Sequence, residues 1–157
     1  YNVNGGVPKT LVQHVVRYAG KAYGGSIEEV LNEILDTPIS PELLRGDKDN
    51  PTQKTEDVVG PYELHDFFLF HFLRRGENPS KILYLAKYAF GEEYETETIR
   101  KWLGEFLKRF FSQQFKRSII PDGPKVGSVT LSSRGDWRMP SDASAKMWIE
   151  ELNNVII

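Results

Sequence analysis

Apolar residues recur along this chain mostly at helical spacing, and six segments carry the pattern. The first follows Pro8, a residue suited to the opening turn of a helix. Its apolar positions are Leu11, Val12, Val15, Val16 and Ala19, and Gly20 is the expected stop. The second opens on Ser26-Ile27-Glu28-Glu29, the pattern of a capping box, with Val30, Leu31, Ile34 and Leu35 as its apolar face. Residues 36–60 carry Pro38, Pro41, Pro51 and many charges, which predicts a long, mobile loop. A third helix is expected from Pro61 through Leu64, Phe67, Phe68 and Leu73 to Gly76, and a fourth from Pro79 to Gly91. The fifth, from Thr96, has the strongest stripe: Ile99, Trp102, Leu103, Phe106, Leu107 and Phe110. Residues 115–140 are rich in Gly and Pro and read as irregular, with a short strand expected at Val126–Leu131. A last helix follows Ser141, with Ala143, Ala145, Met147, Trp148 and Leu152. Strands and helices do not alternate, so the chain is mainly α and does not by itself make a parallel sheet.

Composition narrows the chemistry. A hydrophobic content of 39% and an aromatic content of 12% supply a core and argue against disorder. The chain has no cysteine, which excludes disulfides, thiolate metal sites and cysteine nucleophiles, and fits a reducing, cytoplasmic setting. No apolar run is long enough to span a bilayer, so no membrane role is expected. The start, Tyr1-Asn2-Val3-Asn4, has neither the Met of a complete chain nor the pattern of a signal peptide, and suggests an excised piece. Charge is unevenly spread: residues 1–100 carry eleven Lys/Arg against sixteen Asp/Glu, whereas residues 101–140 carry eight against three. A basic stretch of this kind favours anionic partners, although a solvated helix face with structural salt bridges has the same composition.

The three histidines, His14, His65 and His71, have no metal-ligand spacing and read as ordinary surface or core residues. Neither a P-loop nor a nucleophile elbow is present. Glu56 and Asp57 are adjacent carboxylates, suited to a Mg²⁺ or ribose contact or simply to the start of a helix. Two stretches invite a ligand. Val3 to Thr10 is a Gly-containing turn entering a helix with Lys9 in its first turn, which suits a phosphate or is a plain helix start. Residues 115–142 interleave Lys116, Arg117, Lys125, Arg134 and Arg138 with Phe115 and Trp137. There the cations suit phosphates, the rings suit stacking, and Asp136 can accept hydrogen bonds from hydroxyls. A structural loop is the alternative. The basic residues sit mainly in a Gly/Pro-rich loop rather than along one helix, and no nucleic-acid motif is present, so nucleic acid is not the expected partner.

Asn2 to Thr10, Phe115-Lys116-Arg117, Gly123-Pro124-Lys125 and Arg134-Gly135-Asp136-Trp137-Arg138 resemble the C-terminal part of bacterial glutamine-dependent NAD synthetases, over essentially the whole chain. The resemblance implies that residues 1–157 are the C-terminal helical portion of a Rossmann-like α/β ATP-pyrophosphatase (adenine nucleotide α-hydrolase-like) domain. In that family a glutaminase domain releases ammonia, and ATP with Mg²⁺ adenylates the nicotinate carboxylate of deamido-NAD. Ammonia then displaces AMP. The resemblance further implies that Lys9 contacts ATP phosphates and that Ser40 replaces a Thr that contacts ATP in a mobile loop. Phe115, Lys116, Asp136 and Arg138 would form the deamido-NAD site: Lys116 binds it, Asp136 and Arg138 hold the dinucleotide or order its loop, and Phe115, in place of a His found in single-domain relatives, offers ring packing rather than a polar contact. The Ser-Gly-Gly ATP loop, the Mg²⁺-binding acidic residue and the Glu-Lys-Cys glutaminase centre are not in these 157 residues and are expected to precede them. Hence no catalytic or metal-ligating residue is expected in this chain, which is predicted to be inactive alone. A cytoplasmic homo-oligomer is the expected assembly. The runner-up reading is a stand-alone helical binding or oligomerisation module with a basic, anion-binding loop.

Overall fold

A computed structural model describes residues 3–37, 59–132 and 134–156, and within these it is built from helices with no strand. The chain divides into two compact units, one of residues 8–62 and one of residues 1–7 with 63–157.

The smaller unit is a helical hairpin of α1 (Lys9–Tyr23) and α2 (Gly25–Asp36). Gly20 does not end α1. It is the hairpin's close-approach point, buried where an added Cβ would lie 3.5 Å from Cα of Glu28. The turn falls instead at Gly24 and Gly25, with φ of 66° and 58°, a backbone region that glycine enters without strain. That early turn starts α2 at Gly25, so Ser26 lies inside the helix and the expected capping box is not used. Two helices cannot bury two whole apolar faces, and Val15, Val30 and Ile34 stay more than half exposed.

The larger unit contains α3 (Tyr62–Leu69), α4 (Pro79–Phe90), α5 (Thr96–Ser112), α6 (Gln114–Ile119) and α7 (Lys146–Asn154). Helix α3 runs on into a π-helical turn, Phe70–Arg74. Beyond it Gly76 takes a φ of 65°, and His71 Nδ1 lies 2.6 Å from Glu77 Oε2. The Asn78 side chain caps α4 by accepting from the N–H of Lys81, with Pro79 at the first turn. The stripe expected on α5 is its buried face. Ile99, Leu103, Phe106, Leu107 and Phe110 are all buried, Phe111 joins them, and Trp102 is half-buried. Around it pack Leu64, Phe68, Phe72, Ile82, Leu83, Ala86 and Leu152.

Helix α7 starts at Lys146 rather than just after Ser141. Two tertiary ties hold it. Ser80 Oγ donates to Glu151 Oε1 at 2.6 Å, and Arg100 donates to the carbonyls of Leu152 and Val155 at 2.6 and 2.9 Å, which satisfies acceptors at the helix end. The short strand expected at Val126–Leu131 does not form. That stretch has no partner strand among the described residues, and a bend at Gly127 and Ser128 interrupts it.

Candidate functional site

The irregular segment expected from residue 115 begins instead with a helix, α6, only six residues long. It follows a break at Gln113 and stops before Ile120, whose ψ of 145° is the extended conformation favoured before Pro121. Positions three apart share a helix face. Gln114 and Arg117 are accordingly buried on the inner side, while Phe115 and Lys116 point to solvent, with Phe115 51% exposed. Lys116 Nζ stands 5.9 Å from the centroid of the Phe115 ring.

Arg117 is not placed to hold a ligand phosphate. Its guanidinium lies 4.2 Å over the Phe110 ring, donates to Oε1 of Gln114 at 2.8 Å, and donates to the Phe110 carbonyl. Burial pushes its pKa down, yet an arginine keeps its proton. Gln114 in turn donates from Nε2 to the Met139 carbonyl at 2.9 Å.

In the following loop two more of the expected ligand-holding cations are engaged. Lys125 Nζ meets Asp136 Oδ2 at 2.6 Å, and Arg134 meets Asp122 at 2.9 Å. Asp136 also accepts from the N–H of Thr130 at 3.1 Å. The hydrogen bond from Lys125, helped by that N–H and by the charge of Arg74, holds the carboxyl of Asp136 below the usual carboxylate range. Asp136 lines a cavity of about 180 Å³ together with Leu73, Arg74, Ser128 and Val129. Trp137 is partly buried and packed against the core. It packs 5.2 Å from Phe72 and 5.4 Å from Phe110, centroid to centroid. Arg138 is exposed and donates to the Arg134 carbonyl at 3.3 Å.

Of the five cations read as ligand-holding, Lys116 and Arg138 therefore stand exposed with no carboxylate partner among the described residues. Lys9 belongs to the other unit. It is exposed on the first residue of α1, where no side chain caps the helix. Ser40, Glu56 and Asp57 lie outside the described residues, as does most of the 36–60 loop. The burial of Arg117 had a signal in the sequence, its three-residue spacing from Gln114, but only once residues 114–119 are known to be helical. Among the described residues, no cluster of three or more acidic or histidine side chains could hold a metal ion, and no helix is long and apolar enough to cross a membrane.

No protein-family model matches the chain. Curated relatives do. The chain is 44% identical, over an aligned span of 176 residues, to the glutamine-dependent NAD(+) synthetases of Mycobacterium leprae and Mycobacterium tuberculosis. It is 28% identical over 134 residues to that of Aquifex aeolicus. The mycobacterial matches cover 99% of this chain and 26% of each relative, and the Aquifex match covers 85% and 20%. Through this similarity the chain belongs with the glutamine-dependent NAD(+) synthetases, as a stretch that corresponds to about a quarter of their length.

Proposed function

We propose that the enzyme carrying this chain makes NAD by ATP-dependent adenylation of the nicotinate carboxylate of deamido-NAD, followed by amidation with ammonia from glutamine. The observation that carries the reading is the 44% identity along 99% of the chain. The chain's own part is substrate binding. Lys116 and Arg138, exposed cations without carboxylate partners among the described residues, suit the phosphates of a dinucleotide. Phe115 offers an exposed ring beside Lys116, and Asp136, kept ionised by Lys125, is a ready acceptor for a ribose hydroxyl. Lys9 would meet ATP phosphates. ATP arrives with Mg²⁺, whose ligands and the ammonia-releasing centre we assign to other parts of the enzyme. The exposed apolar residues of the α1–α2 hairpin suit a chain that packs against further polypeptide, and assembly into homo-oligomers belongs to the same proposal.

The runner-up, a stand-alone helical binding or oligomerisation module with a basic anion-binding loop, is weakened as an anion binder by the capture of Lys125 and Arg134 in ion pairs and by the burial of Arg117. The test is steady-state formation of NAD from deamido-NAD, ATP–Mg²⁺ and glutamine. With Lys116→Ala the KM for deamido-NAD should rise about tenfold or more, while glutamine hydrolysis is retained. No NAD formation by the unaltered enzyme would sink the synthetase reading, and an unchanged KM would sink the role of Lys116.

A further inference from the structure

Lys116 stands on a helix of only six residues, too short to hold its own shape in water. Its direction must be set by tertiary bonds, and these run through two buried polar side chains. Arg117 stacks on Phe110, at the end of α5, and bonds that residue's carbonyl. It also donates to Oε1 of Gln114, whose Nε2 donates to the carbonyl of Met139. Gln114 uses both ends of its amide, and only one orientation serves. Reversed, it would set NH₂ against a guanidinium and oxygen against a carbonyl oxygen. Met139 is the residue after Arg138 and the third after Asp136. The relay thus joins the helix of Phe115 and Lys116 to the loop of Asp136 and Arg138.

From this geometry we infer that Gln114 and Arg117 are positioning residues for dinucleotide binding, holding Lys116 and Arg138 in one fixed arrangement. The inference rests on the synthetase reading above. Packing alone does not call for this device. Burying a guanidinium carries a desolvation cost that an apolar residue of similar volume avoids, so stability is weak grounds for keeping it. What the relay adds is direction. A side chain set about 1 Å off its productive place can cost up to a hundredfold in turnover.

The test uses the whole synthetase that carries this chain. Gln114→Met keeps length and volume and removes both hydrogen bonds. The KM for deamido-NAD should rise about tenfold and the KM for ATP should stay within about twofold. In a Lys116→Ala background, Gln114→Met should raise the KM by clearly less than its full effect of about tenfold, because only Arg138 is left for the relay to position. Should Gln114→Met fail to fold, Gln114→Glu retains the acceptor for Arg117, loses the donor to Met139, and should still raise the KM. An unchanged KM in a folded Gln114 variant overturns the inference. So does a Gln114→Met effect that is fully retained in the Lys116→Ala background, which marks a general structural role. If instead Lys116→Ala itself leaves the KM unchanged, the substrate-binding reading fails and this inference falls with it.

Discussion

Lys116 and Arg117 are adjacent cations with opposite fates. One is in solvent and the other is buried over an aromatic ring, because neighbouring residues on a helix point about 100° apart. Asp136 shows a second effect at this scale, a charge pair that sets a protonation state. Its carboxyl is held below the ordinary value of 3.8 because Lys125 donates to the charged form. The native state therefore binds that proton less readily than the unfolded chain does. The pair's contribution to stability is fully present above 3.8 and is lost as pH falls through the lower, native value. Carboxyl-carbon NMR of Asp136 should give a midpoint below 3.8, and Lys125→Met should move it up toward 3.8. A wild-type midpoint at or above 3.8 would contradict the ion pair. Added salt should shrink the shift, since both groups are partly exposed.

Glycine and proline act at the scale of elements, and their meaning depends on what lies nearby. Gly20 reads as a helix stop from local sequence, yet it is where α1 passes close to Glu28 and Leu31 of α2. An alanine Cβ there would make ordinary contacts at 3.5 to 3.8 Å. Gly20→Ala should then stabilise the chain by about 0.5–1 kcal/mol through helix propensity. Gly20→Leu should destabilise it by about 1–3 kcal/mol by forcing the helices apart. Urea denaturation followed by circular dichroism at 222 nm reads both signs. A large loss with alanine would mean the crossing is tighter than this geometry. Pro121 acts as its neighbours suggest. It sets Ile120 extended and so ends α6, whereas the helix before it was hidden in a segment whose glycines and prolines argued for a loop.

The larger unit converges on Phe72. Its ring lies within 5.0 to 6.3 Å of the rings of Phe106, Phe110, Phe111, Trp137 and Trp148. Those partners come from α5, from the candidate-site loop and from α7, so this one side chain links the core to the loop that bears Asp136 and Arg138. Phe72→Ala should cost about 3–5 kcal/mol. Near-ultraviolet circular dichroism should lose the tryptophan signal earlier on heating than in the unaltered chain. A melting temperature within a degree or two of wild type would show that the cluster closes over the gap.

Periodicity was enough to place α5 and its inner face, because a 3.6-residue repeat of large apolar side chains has few other solutions. Pro79 and Gly91 bracket α4, and the Phe-Lys-Arg and Arg-Gly-Asp-Trp-Arg stretches mark the candidate site, for reasons equally local to the chain. Other features lay beyond the sequence because they depend on residues far apart in it. The burial of Arg117 needs Phe110 on one side and, through Gln114, Met139 on the other. The pairing of Lys125 with Asp136 spans eleven residues, and Trp137 packs against Phe72, 65 positions earlier. Local sequence set which segments can be helical and which residues can carry charge. Only the packed chain decided which of those charges face solvent, since burial and pairing are properties of neighbours in space.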